Sequence, residues 1–248
     1  MRRIVALSLF GLVAATPLAA QFEGTVNMKM SAPTGGGTGE INMKISVKGD
    51  RSATVMSMPA SSGPMAGMEI HSIFDPKANT MTTLMPMIAG MANIPGMQNA
   101  KGLKTVVDLS KAGQMSAGRA GATGAVPEAD IKKLGTSETI AGMSCDDYEI
   151  TSNGQPMRMC MTSALGRFTL PQMGGGMGRG GATTPPAWSR AFGSKPMFPL
   201  KVWSTDGKMA MEVTSVQKGS VPESMFEIPD GYVDMAAMMG GMGRPPKP

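Results

Sequence analysis

Aromatic side chains are scarce in this chain, at 4% of residues, and they are not interleaved with clusters of Lys and Arg. Neither a base-stacking platform nor a phosphate-binding stripe can be assembled from them, which removes nucleic acid as a partner. Histidine is scarcer still, because His71 is the only one. A Ser-His-Asp arrangement would have to be built on that residue, and a zinc site would lack its usual nitrogen and thiolate ligands. A partly buried strand histidine is the simpler expectation. Only two cysteines occur, Cys145 and Cys160, and no long apolar run is present. The longest one, Ile4 to Ala15, falls short of the ~20 residues that a membrane-crossing helix needs.

That short run does carry meaning. Arg2 and Arg3 precede it and Thr16-Pro17-Leu18-Ala19-Ala20 follows it, the order of a secretory signal with small residues at the cleavage point near Ala20. No cysteine follows for lipid attachment. The expected product is therefore a periplasmic or secreted protein that is not a lipoprotein and has no membrane span. Two cysteines paired as a disulfide fit an oxidising compartment. The formal net charge of +5 includes Arg2 and Arg3, so the mature chain carries only +3 (5 − 2), with its basic residues scattered.

After the signal, 21–234 reads as one domain. FEGTVNMKM from Phe22, EINMKISVK from Glu40 and Arg51 to Met58 alternate apolar and polar residues, with Gly49-Asp50 as a turn, and predict an antiparallel meander. Strands at Glu69 to Phe74 and Thr80 to Met85 flank the Asp75-Pro76 turn. Low-complexity insertions fall near 86–127 and 172–195, with a short helix expected at Leu103 to Ala112. The tail 235–248 is Met-, Gly- and Pro-rich, and it and the 172–195 insertion are expected to be disordered.

Lys133 to Ile140 predicts a further strand, and Ala141 to Thr162 reads as a hairpin holding both cysteines. Direct pairing of Cys145 with Cys160 is the expected register, putting Asp147 opposite Arg158 and Tyr148 opposite Met157. A turn centred on Asn153-Gly154 would instead shift the pairing by two residues and make the cysteines diagonal neighbours. Either way Tyr148, Ile150, Met157, Met159 and Met161 share one face, and the disulfide is expected outside, on the solvent face. Asp206-Gly207 predicts a closing hairpin in which Val202 meets Met211, Leu200 meets Val213, Lys201 meets Glu212 and Trp203 covers Ala210. Met225, Phe226, Ile228 and Tyr232 read as an edge segment pinned to the core.

These residues carry a resemblance. The order meander, IFDPKANTMTTL, ETIAGMSCDDYEIT, FPLKVWSTDGKMAMEVTSV and FEIPDGY resembles the bacterial family catalogued as domain of unknown function 4412. It is more distantly similar to the outer-membrane lipoprotein carrier (LolA/LolB-like) superfamily. The better signals are Ile-Ala-Gly-x-x-Cys and the closing Phe-x-x-Pro-x-Gly-Tyr. The likeness implies a mainly β fold, an antiparallel half-open barrel with a little helix and a concave apolar side able to hold acyl chains or a peptide. On that reading Tyr148, Ile150, Met157, Met159, Met161, Leu200, Val202 and Met211 line a surface for a lipid or other apolar ligand, or for an envelope protein partner. No carrier residue maps onto a matching motif.

Methionine, at 28 residues, is the compositional anomaly. Thioethers suit Cu(I), and Met173, Met177, Met238, Met239 and Met242 in the loops are the candidate ligands of a metal-handling or oxidant-scavenging alternative. An envelope sensor or interaction domain is the third reading. Alternation at Met28/Met30, Met157/Met159/Met161 and Met209/Met211 fits adaptable core filler instead. Asp146 and Asp147 are adjacent on a strand and face opposite ways, and a disulfide removes both thiolates. No catalytic residue and no cofactor is expected.

Overall fold

A computed structural model describes residues 22–34, 37–87, 93, 97–110, 130–152, 155–165, 197–205 and 210–237. The expected signal at 1–20, the expected insertion at 172–195, the expected turns at 153–154 and 206–207, and residues beyond 237 lie outside the described residues, as does most of the 86–127 segment. The strands are β1 (Gly24–Thr34), β2 (Gly37–Lys48), β3 (Arg51–Ser57), β4 (Glu69–Asp75), β5 (Thr80–Pro86) and β6 (Gly102–Asp108). They continue with β7 (Asp130–Ile140), β8 (Met143–Ser152), β9 (Gln155–Thr162), β10 (Phe198–Ser204), β11 (Ala210–Lys218) and β12 (Tyr232–Asp234). Among the described residues helix is confined to short turns, one of them a 3-10 turn at Glu223–Phe226, and no helix is long and apolar enough to cross a membrane.

All twelve strands form one open sheet in the order β12-β6-β5-β4-β3-β2-β1-β11-β10-β9-β8-β7. Two meanders of consecutive neighbours are joined where β1 pairs with β11, giving the half-open barrel. Every described pairing is antiparallel except β12 with β6. The Ile-Ala-Gly-x-x-Cys signature explains itself here. Ala141 and Gly142 form the two-residue turn between β7 and β8, with φ of 49° and 78°. That double left-handed turn matches the twist of the flanking strands, and glycine adopts it without cost.

Because side chains alternate, one face of the sheet collects Val26, Met28, Ile41, Met43, Ile45, Met56, Ile150, Met159, Met161, Val202, Met211 and Val213, all buried. A second, smaller cluster lies on the other face, where Ala53, Ile73 and Leu84 are packed by Met225, Phe226 and Tyr232. The chain after β11 forms this cover as a strap. Glu223 bridges Lys48 at 2.8 Å and Arg51 at 2.7 Å, and the Arg51 guanidinium stacks 4.6 Å from the Phe226 ring centre. Lys101 N–H donates to the Gly231 carbonyl at 2.7 Å where the strap reaches β6.

Several expectations are corrected. Leu103 to Asp108 is strand rather than helix, because β5 pairs along its whole length from Thr80↔Asp108 to Pro86↔Gly102. In the cysteine hairpin Asp147 faces Cys160 and Tyr148 faces Met159, with Ser152↔Gln155 closing the ladder. This is the two-residue shift, in which the cysteines are diagonal neighbours. Their Cα atoms are nonetheless 5.3 Å apart and the sulfurs 2.10 Å apart, within the reach of a disulfide. The bridge lies on the face opposite the apolar row, as expected, but it is buried there rather than exposed to solvent: Cys145 is 3% and Cys160 0% exposed. Ile228, expected to be pinned, is exposed. The closing hairpin matches its expected register at Lys201↔Glu212, Val202↔Met211 and Trp203↔Ala210.

Candidate functional site

Strand pairing turns the alternating residues into rows across the sheet. One row runs Tyr148, Met159, Val202, Met211, Met30, Ile41 over β8, β9, β10, β11, β1 and β2. The next runs Val213, Met28, Met43, Met56, Ile70 from β11 to β4. Direct cross-strand neighbours lie ~5 Å apart at Cβ, so each row is a continuous strip of contact. Six adjacent strands thus present a nearly pure aliphatic and thioether surface. Methionine occupies it where β-branched residues have the better strand preference, and its unbranched side chain gives the layer more freedom to repack.

The structure brings all eight residues of the expected apolar surface to this face. Ile150, Met159, Met161, Leu200, Val202 and Met211 are buried, at 6% exposure or less, whereas Tyr148 and Met157 are half-buried at its β8–β9 end. Ile131, Met143 and Met197 pack against the same cluster and are partly exposed. Beside them Lys133 Nζ lies 2.7 Å from Asp146 Oδ2, an exposed pair. The hydrogen bond to Asp146 raises the lysine pKa above its ordinary value, against an opposing effect of desolvation.

The opposite face of the same strands is charged. Glu138 pairs with Lys201 at 3.6 Å, Lys201 sits 5.1 Å from the Trp203 ring centre, Arg158 lies 3.7 Å from Glu149 and Lys29 lies 3.1 Å from Glu40. Buried within this charged face are the disulfide and Asp147. Thr136 Oγ1 donates to Asp147 Oδ2 at 2.7 Å, while Asp147 Oδ1 is buried with no partner among the described residues. Asp146 points the other way, so the two carboxylates do not converge. His71 is also on the outer face, half-exposed, with Glu69 at 3.8 Å.

Among the described residues no three His, Cys, Asp or Glu side chains come close enough to hold a metal. Met173, Met177, Met238, Met239 and Met242 lie outside the described residues. Sequence reading missed the methionines of β1 to β3 as part of the same surface. The signal was present in their alternation, but only the β1–β11 pairing joins the two halves of the chain.

A search of curated proteins finds no match. Among solved structures, PNGF-II has a TM-score of 0.42 at 13% identity over 85% of this chain, which spans 30% of that protein's length. MucB in complex with MucA(peri) scores 0.38 at 12% identity, over 86% of this chain and 56% of that one. A putative outer membrane lipoprotein-sorting protein domain from Vibrio parahaemolyticus scores 0.30 at 9% identity, over 83% and 89%. Residues 22–232 match the family model described as Domain of unknown function (DUF4412), so the chain belongs to that family.

Proposed function

We propose that the protein is exported, cleaved near Ala20, and acts without catalysis as a single-domain binding protein that takes an apolar ligand, such as a lipid acyl chain, onto the methionine face of its half-barrel. The carrying observation is the uninterrupted apolar row Tyr148, Met159, Val202, Met211, Met30, Ile41 across six strands. A core that only had to be stable would be served by Ile, Val and Leu, which lose less rotamer freedom on burial. Methionine side chains can instead repack around guests of different outline. The half-buried Tyr148 and Met157 mark the end of the row where a chain would enter.

Native mass spectrometry of protein purified gently after export tests the reading. Apolar adducts that are removed by solvent extraction are expected, and the extracted protein should take up diphenylhexatriene with a rise in fluorescence. Tyr148→Glu with Met157→Glu should weaken that uptake while leaving the melting temperature within a few degrees. Absence of adducts together with no probe uptake by the extracted, folded protein would sink the proposal.

A further inference from the structure

One row on the methionine face is unlike the rest. It starts apolar at Val26 and Ile45, then continues as Thr54, Ser72, Thr83 and Thr105 across β3, β4, β5 and β6, each directly opposite the next. Alternation assigns these positions to the face that elsewhere carries Met, Ile and Val. Thr54 and Ser72 are each only 4% exposed, and Thr83 and Thr105 are half-buried. A buried hydroxyl costs stability unless it finds a partner, so the buried pair Thr54 and Ser72, continued in register by Thr83 and Thr105, needs a reason. Part of it is internal, since Ser72 Oγ and Thr83 Oγ1 lie 3.4 Å apart and Thr105 Oγ1 lies 3.8 Å from Met235 Sδ. Each hydroxyl nevertheless offers one donor and two acceptor positions, more than these contacts use.

Charge is absent from the same place. From β1 to β6, no Lys, Arg, His, Asp or Glu among the described residues shares this face by register; Lys29, Lys44, Arg51, Glu69, His71 and Lys104 all fall on the other one, and on β11 only the exposed terminal Lys218, opposite Gly24, shares it. An ionised carboxylate or phosphate drawn into this layer would therefore lose its hydration without meeting a counter-ion. A neutral carbonyl or hydroxyl would meet a line of donors and acceptors.

We propose that the ligand is an amphiphile with an uncharged, oxygen-bearing head, of the acylglycerol or fatty ester class. Its chain lies along the methionine rows, and its head is hydrogen-bonded by the ladder, chiefly by the more accessible Thr83 and Thr105. This assignment rests on the apolar-ligand reading and adds its chemical class. The head-group preference is built from hydroxyls that strand pairing places in one row, so it is set by the register of β3 to β6.

The test is displacement of diphenylhexatriene from the extracted full-length protein by monoolein and by oleate at about pH 8, where the fatty acid is ionised. Monoolein should displace at concentrations at least about tenfold lower than oleate. Thr83→Val with Thr105→Val preserves shape while removing the hydroxyls, and should weaken monoolein about three- to tenfold for each hydrogen bond lost, narrowing its advantage over oleate. Equal displacement by the two lipids, or an unchanged preference in the double variant, overturns the head-group assignment and leaves the apolar face standing. Failure of the probe to bind at all overturns both.

Discussion

The Cys145–Cys160 bridge supports a quantitative prediction because its burial and its span are both known. The cysteines are 15 residues apart, and closing a loop of that size stabilises the folded chain by about 3 kcal/mol through the entropy it removes from the unfolded state. Replacing both residues by Ala also deletes two sulfur atoms from a site where the residues are 3% and 0% exposed, adding about 1 kcal/mol for the void. Alanine is the right replacement, since serine would bury two hydroxyls beside Asp147, whose Oδ1 already lacks a partner. For a domain of this size about 4 kcal/mol corresponds to a fall in Tm of roughly 8 to 16 °C. Differential scanning calorimetry of the double variant, with and without reductant, reads it directly. Wild type should resist reductant under native conditions, because the thiolate attacker must wait for the sheet to open. Probe uptake below the melting transition should survive, as the bridge projects from the face opposite the methionine rows. A fall in Tm under about 2 °C, or reduction of the native bridge as fast as that of an exposed disulfide, would refute the reasoning.

Two further perturbations address the strap. The Glu223 carboxylate is held below the ordinary glutamate value of 4.5 by its hydrogen bond to Lys48 and then by that to Arg51. Its contribution to stability is therefore complete above that value and is lost as the pH falls through the lower folded-state value. Glu223→Gln should flatten the acid limb of the Tm-against-pH curve below about 4.5 and leave the neutral region nearly unchanged; an identical acid limb in both proteins contradicts the clasp. At Gly102 an added Cβ would stand 2.1 Å from the Met85 carbonyl oxygen and 2.9 Å from Tyr232 Cε1. Gly102→Ala should loosen β6 from β5 and from β12, seen as faster hydrogen exchange at Lys101 and Tyr232, and unchanged exchange at those amides would show that the edge tolerates the methyl group.

Local patterns carried a large part of the architecture. Period-two alternation located the strands of the first meander because one face of each is buried and the other wet, and the Phe198–Thr205 hairpin could be registered from its own side chains. The cysteine hairpin misled because two registers two residues apart keep the same faces, and a disulfide accepts direct or diagonal partners. The helix expected at Leu103 to Ala112 failed for a different reason: a short stretch of mixed polarity does not separate helix from strand, and it is β5 that supplies the hydrogen bonds to Gly102–Asp108.

What the sequence by itself determined was the set of residues that share a face, since alternation is a property of each strand alone. Tyr148, Ile150, Met157, Met159 and Met161 belonged together before any pairing was known, as did Val202 and Met211. Only the tertiary structure decided what lies beside what. The pairing of β1 with β11 joins the two meanders into one methionine surface, the crossing strap covers Ala53, Ile73 and Leu84, and the stacking of β3 to β6 lines up Thr54, Ser72, Thr83 and Thr105. These are contacts between residues far apart in the chain, and their free energy depends on the whole sheet closing together, so no local stretch encodes them.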